Sequence, residues 1–357
     1  MSTATPSNIP KRKQDHLDAC MNQPVEGTGS PFFEDVMFVH RALPELNVSE
    51  IDTQCEFLEK QISLPLFISC MTGGSEQGKN ANRELAKAAQ ELNIPIGLGS
   101  IRVLFKNPER AEDFQLRQHA PDVPIIANIG GAQLLETSIH EIREWLEKLE
   151  VDALAVHLNC GQELFQEGGD TKFRGILDAI EKTIDNLSHP VIVKETGFGI
   201  SPREVKELIG IGAHYVDIAG AGGTNWVTVE MHGNPSEDFA GSSFMDWGTP
   251  TAVLLDTVRE HQGKILSSGG LRSGMDLAKS IALGAVAGGM ALPFIQAAID
   301  GGKDEAVVFG RTIEKVLKST MLLTGSQTIE DLQRQPLIRS SEFEHFVKSL
   351  KQIDSST

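Results

Sequence analysis

The chain has 357 residues, 40% of them hydrophobic, which is enough to bury one large core. Its 32 lysines and arginines against 49 aspartates and glutamates give a formal charge of −17, which argues against a nucleic-acid or anionic-membrane partner, since both need a basic surface. Cys20, Cys55, Cys70 and Cys160 are scattered without the spacing of a disulfide framework or a structural zinc site, and reduced thiols in a cytoplasm are expected.

The first residues, MSTATPSNIPKRKQDH, are polar and lack the apolar segment of a secretory signal. Arg12, Lys13 and His16 form a basic cluster there, to which charge alone assigns no role. Eight short apolar runs follow, at Leu64 to Met71, Pro95 to Ser100, Pro124 to Ile129, Ala153 to Asn159, Pro190 to Glu195, Tyr215 to Gly220, Lys264 to Gly270 and Ala285 to Ala291. Runs apolar almost throughout belong to a parallel sheet covered on its outer face. Between them lie stretches of helical period, such as Glu76 to Leu92, Thr137 to Glu150, Thr171 to Leu187 and Thr249 to Gln262. Eight alternations predict an α/β fold of the (β/α)8 TIM-barrel kind, although an open doubly wound sheet shares the pattern. The predicted division is an N-terminal arm over 1–63, the barrel over 64–323 and a C-terminal tail over 324–357. Ala221 to Trp247 reads as a long loop after strand six, which at that length belongs to a binding site. Ser280 to Ala298 carries no charge, but Gly284, Gly288, Gly289 and Pro293 divide it into a helix end, a strand and a turn, not a membrane span.

In a parallel barrel the residues at carboxyl strand ends converge on one mouth. Polar residues and glycines collect there: Met71-Thr72-Gly73-Gly74, Gly99-Ser100-Ile101-Arg102, Asn128-Ile129-Gly130-Gly131, His157-Leu158-Asn159 and Lys194-Glu195. Gly220 to Thr224 after strand six and Ser267 to Gly274 after strand seven are glycine-rich. With Met290-Ala291-Leu292-Pro293 after strand eight, they sit where barrels commonly bind a phosphate through free backbone amides. His157 and Asn159 are two apart on a strand end, so both point inward, with Gln162 and Glu163 just beyond. Lys194 is the last inward position of an apolar strand and needs an anion. Glu195 points to the opposite face, so a bound anion is the expected partner.

The chain resembles the type 2 isopentenyl-diphosphate isomerases, flavoenzymes that interconvert isopentenyl and dimethylallyl diphosphate. The likeness runs from Arg12 to about Phe346. It is carried by Arg12-Lys13-Gln14-Asp15-His16, Met71-Thr72-Gly73-Gly74, Gly99-Ser100-Ile101-Arg102, Ala127-Asn128-Ile129-Gly130 and His157-Leu158-Asn159 with Gln162-Glu163. Val193-Lys194-Glu195, Gly222-Gly223-Thr224-Asn225-Trp226 and Ser268-Gly269-Gly270-Leu271-Arg272-Ser273-Gly274 complete it. The resemblance implies that Arg12, Lys13, His16 and Arg102 hold the substrate diphosphate, and that Gln162 also binds the substrate. It implies that Thr72, Ser100, Asn128, Lys194 and Thr224 contact FMN, and that Gly269, Gly270, Arg272, Ala291 and Leu292 surround its phosphate. His157, Asn159 and Gln162 would face the reacting alkene, and Glu163 would bind Mg2+. It further implies reduced FMN as the active form, NADPH as reductant and a homo-oligomer, tetramer or octamer. Two departures stand out. Cys160 and Gly161 replace the family's proline and apolar residue, which predicts a more flexible loop, and Met231-His232 follows Glu230 where the family often has an arginine. The rival readings are an FMN-dependent 2-hydroxy-acid oxidase on the same barrel and a phosphate-binding barrel without catalysis.

Overall fold

The computed structural model describes residues 9–70, 75–233 and 238–356. Its centre is a closed barrel of eight parallel strands: β1 (Leu66–Ile68), β2 (Ile96–Ser100), β3 (Ile125–Gly130), β4 (Ala153–His157), β5 (Val191–Lys194), β6 (Tyr215–Asp217), β7 (Ile265–Ser267) and β8 (Ala287–Met290). The barrel is therefore closed and not an open sheet, and seven strands fall inside their apolar runs, while β3 extends one residue past its run to Gly130. Registers bring Gly130 opposite His157, His157 opposite Lys194 and Lys194 opposite Asp217. Polar residues of β4 to β6 thus form one row at the carboxyl end.

The helix Glu76–Leu92 forms where expected, because Ser75 caps its start through Gly78 N and Asn93 ends it in the left-handed region at φ 49°. Its buried stripe of Ala81, Leu85, Ala88, Ala89 and Leu92 is the face applied to the barrel. Thr137 to Glu150 shortens to Ile139–Leu149 behind the Ser138–Glu141 capping box, and Thr171 to Leu187 to Ile176–Asn186 behind Gly175 at φ 89°. The uncharged stretch Ser280 to Ala298 divides into the end of helix Gly274–Ala282, strand β8 and the start of helix Leu292–Thr324. Among the described residues no helix is long and apolar enough to cross a membrane.

Two features depart from the sequence reading. The segment Ala221 to Trp247 is not an irregular loop, since it folds into helices Trp226–Gly233 and Asp238–Gly241. Asn225 Oδ1, which accepts from Val227 N and Thr228 N, starts the first of these. Residues preceding the barrel also supply a hairpin, Cys55–Phe57 with Lys60–Ile62, that plugs its amino end. Phe57 and Ile62 are fully buried, and the Phe57 ring stacks on Phe67 at 6.1 Å and Tyr215 at 5.3 Å. The plug leaves the carboxyl mouth as the open end. Phe57→Leu, which removes ring atoms from this stack, is expected to cost about 1–2 kcal/mol of stability, read as a lowered midpoint in urea unfolding.

The arm and tail meet outside the barrel, where Val36–Phe38 pairs antiparallel with Leu337–Arg339. The helix Ile9–Asn22 crosses the mouth and packs on Trp226–Gly233 and Glu76–Leu92.

Candidate active site

On helix Ile9–Asn22, Arg12, Lys13 and His16 fall within one turn and all three line the cavity at the barrel mouth. Lys13 Nζ donates to Ser100 O at 3.1 Å. Burial, then the neighbouring Arg12 and Arg110 charges, pushes the Lys13 ammonium down to about 7. His16 Nε2 lies 3.0 Å from Glu230 Oε1, with its ring edge-on to Trp226 at 5.6 Å.

At the end of β4, His157 Nδ1 is 2.9 Å from Asn128 Oδ1. Burial, followed by the charges of Lys194, Lys13 and Arg102, presses the imidazole to about 3, so it is neutral at physiological pH. Since a carboxamide oxygen only accepts, Nδ1 carries the hydrogen and Nε2 keeps a free lone pair. Asn159 Nδ2 donates to Gln162 Oε1 at 3.0 Å and to Glu163 Oε1 at 3.1 Å, and Gln162 Nε2 donates to Glu230 Oε1 at 2.8 Å. Glu163, 6% exposed, also accepts from Gln166 Nε2 at 3.0 Å and Asp170 N at 2.7 Å. The expected flexible loop is instead the first turn of helix Cys160–Phe165. Gly161 lies so close to Phe198 that a Cβ there would meet its ring at 2.3 Å, while Gln162 is held by Asn159 and Glu230. His232, at the second departure, approaches the arm carbonyl Pro24 O at 3.3 Å.

Arg102 is paired with Asp170, Nη1 to Oδ2 at 3.0 Å and Nη2 to Oδ1 at 3.4 Å. The same carboxylate accepts from Gln133 Nε2 at 2.6 Å. Neither Asp170 nor Gln133 stood out in the sequence, and neither did Glu230 as the partner of His16 and Gln162. No local signal marks them, because each meets its partner only through the fold.

On β5, Lys194 Nζ donates to Glu195 O at 2.6 Å, so the lysine has a protein acceptor in addition to whatever anion the cavity takes. The Glu195 carboxylate turns away onto Thr196 N, Gly197 N and Phe198 N at 2.5–2.6 Å. That holds the loop in place and leaves the buried Thr196 hydroxyl, which lines the cavity, without a hydrogen-bond partner. After β7, Gly269 and Gly270 are both left-handed, at φ 91° and 83°, and a Cβ on Gly269 would meet Gly220 O at 2.1 Å. No other residue type fits such a turn without strain. The start of helix Leu292–Thr324 borders the same corner, with its unpaired amides and positive dipole end. Arg272 reaches it too, its Nε and Nη2 donating to Glu26 Oε1 at 2.9 and 2.6 Å.

Every expected site residue lines this one cavity except Thr72, which lies outside the described residues. The chemistry of the donors suits a phosphorylated flavin: glycine amides, a helix start and an arginine at one end, and Lys194, Asn128, Ser100 and an orphaned threonine hydroxyl deeper in. For a metal the fit is narrower, since among the described residues no group of three or more His, Cys, Asp or Glu could hold one. A single carboxylate, Glu163, is compatible with a Mg2+ that takes its other ligands from substrate phosphates and water.

The fold and the site define a flavin-type barrel enzyme. The family model described as FMN-dependent dehydrogenase matches residues 8–105 and 138–339. Among solved structures, a flavocytochrome b2 variant with pyruvate bound superposes with a TM-score of 0.70 at 17% identity, covering 93% of this chain and 84% of that one. A putative lactate oxidase of Pediococcus acidilactici gives 0.67 at 15%, covering 95% and 96%; at such identities the likeness is one of fold. Curated relatives are closer. The isopentenyl-diphosphate delta-isomerase of Borreliella afzelii is 45% identical over 336 residues, 94% of each chain. Those of Rickettsia bellii and Methanothrix thermoacetophila are 42% and 40% identical, covering 92% of this chain and 97% and 92% of theirs. The chain belongs to the FMN-dependent dehydrogenase family and, within it, to the isopentenyl-diphosphate delta-isomerases.

Proposed function

We propose that this chain interconverts isopentenyl and dimethylallyl diphosphate in isoprenoid biosynthesis, using reduced FMN and Mg2+, with NADPH as reductant. The observation that carries the reading is a pair of anion-accepting corners in one cavity. One, at Gly269, Gly270, Arg272 and Leu292, suits the cofactor phosphate. The other, at Arg12, Lys13, His16 and Arg102, suits a substrate diphosphate. Lys194, His157, Asn159 and Gln162 line the same cavity.

Moving a double bond requires adding a proton at one carbon and removing one at another, and an ordinary side-chain acid is poorly matched to so weak a base as an alkene. Reduced FMN supplies, when bound, a ring nitrogen that can give and recover that proton without net redox change. The protein's own groups bind and orient. Arg12, Lys13, His16 and Arg102 neutralise the diphosphate, with Glu163 sharing Mg2+ with it. Lys194 favours a negative charge on the cofactor. His157 stays neutral and holds its ring through Asn128, while Gln162, fixed between Asn159 and Glu230, positions the alkene or relays its proton. The division into arm (1–63), barrel (64–323) and tail (324–357) suits this chemistry, because the arm brings the diphosphate cations to a mouth that the barrel builds. A cytoplasmic homo-oligomer, tetramer or octamer, completes the reading.

The test is incubation of the anaerobically reduced, FMN-loaded protein with Mg2+ and isopentenyl diphosphate in D2O. Deuterated dimethylallyl diphosphate without net flavin oxidation is expected; no conversion with flavin tightly bound would send the chain to hydroxy-acid oxidation. Glu163→Gln is expected to raise the Mg2+ concentration for half-maximal rate by about tenfold or more, and an unchanged metal titration would remove it as the ligand. Gln162→Asn is expected to lower kcat, and a full rate would end its role.

A further inference from the structure

A buried ammonium at the floor of a cavity needs a counter-charge on its protein side as well as its ligand side. Lys194 is 7% exposed, and the register of β5 with β6 places Asp217 opposite it. Glu195, its neighbour in sequence, is spent on its own loop's amides. Asp217 is 1% exposed. It accepts from Ala219 N at 3.3 Å, and its two oxygens lie 2.8 and 2.9 Å from Ser268 Oγ, which donates to the carboxylate. Ser268, like Lys194, lines the cavity, whereas Asp217 does not. With its hydrogen committed to Asp217, the Ser268 hydroxyl can only accept from the cavity side. Two further titratable groups lie beside the pair: His157, opposite Lys194 in the register of β4 with β5 and pressed to about 3, and Cys70, whose thiol burial pushes up to about 11, so both are uncharged at neutral pH.

We propose that Asp217 is a positioning residue of the cofactor site, the counter-charge beside Lys194 and Ser268 that limits how strongly this end of the cavity favours an anionic ligand. The inference rests on the reading that FMN occupies the cavity. Burial pushes the Asp217 carboxyl up, while the Lys194 charge and the Ser268 hydroxyl oppose that push. Asp217 does not line the cavity, so it acts through Lys194 and Ser268, which do. Its carboxylate damps the positive field of Lys194 and thereby the preference for reduced over oxidised flavin. Removing the charge at constant volume unmasks that field.

The experiment is an anaerobic redox titration of the FMN-loaded protein against a reference dye, which needs no isoprenoid substrate. In Asp217→Asn the affinity for reduced relative to oxidised FMN is expected to rise about tenfold, an upward shift of about 30 mV for a two-electron couple. Asp217→Glu, which keeps the charge, is expected to stay near wild type. A ratio in Asp217→Asn within twofold of wild type overturns the proposal, as does a fall. If Asp217→Asn fails to retain FMN, Asp217→Glu decides. Recovered retention with the wild-type ratio supports a charge role, and loss in both variants marks a packing role and overturns it. A wild-type protein that binds no FMN would instead sink the cofactor reading, and this inference with it.

Discussion

Replacing Lys194 with alanine is expected to weaken retention of reduced FMN by a factor on the order of 10²–10³, with a smaller effect on the oxidised form. Lys194 is buried, its ammonium is anchored by Glu195 O at 2.6 Å, and Asp217 faces it across the strand register. Taking away one partner of a buried charge set strands the others, which typically costs about 3–5 kcal/mol, and every 1.4 kcal/mol is about tenfold in affinity. The loss falls mainly on the reduced cofactor, which presents the negative charge that the lysine meets. Equilibrium dialysis with oxidised and dithionite-reduced FMN checks this, and normal retention of reduced flavin would move Lys194 out of the cofactor site.

The second large effect is one of pH on substrate binding. Burial lowers Lys13 to about 7, so in the free protein it is charged below that pH and loses its proton above it. A diphosphate prefers the charged form. The apparent KM for isopentenyl diphosphate is therefore expected to be flat below about pH 7 and to rise by up to about tenfold per pH unit above it, with kcat less affected. Lys13→Arg, charged throughout, is expected to flatten the profile. His157, held near 3, contributes no step between pH 5 and 9. A KM that stays constant from pH 6 to 9 would show that Lys13 does not meet the diphosphate as a titrating group.

Much of this was legible in the chain because the signals are local. Apolar runs, many opened by proline or glycine and followed by helical period, come from side-chain period and turn chemistry alone, so all eight strands form at their predicted runs, β3 reaching one residue further, to Gly130. The same logic reached the mouth: residues at carboxyl strand ends share one side of a parallel barrel, and His157, Asn159 and Lys194 line the cavity as their strand positions required. Arg12, Lys13 and His16 were different. Their charge said nothing about the site, and only the resemblance gave them one.

What the sequence by itself determined is the run of eight βα alternations, which a closed barrel and an open sheet share, and the end at which polar residues and glycines gather, because period, turn chemistry and strand direction are fixed by neighbours in the chain. What only the tertiary structure decided is how those residues are partnered and charged. Arg102 meets Asp170 and Gln162 meets Glu230, each across 68 residues. The Phe57 hairpin closes the far end, Gly161 packs against Phe198, and Asp217 comes to rest opposite Lys194. Burial then makes His157 neutral and Lys13 titratable near 7, since the cost of a charge depends on the water excluded from around it, and that is set by segments far apart in the chain.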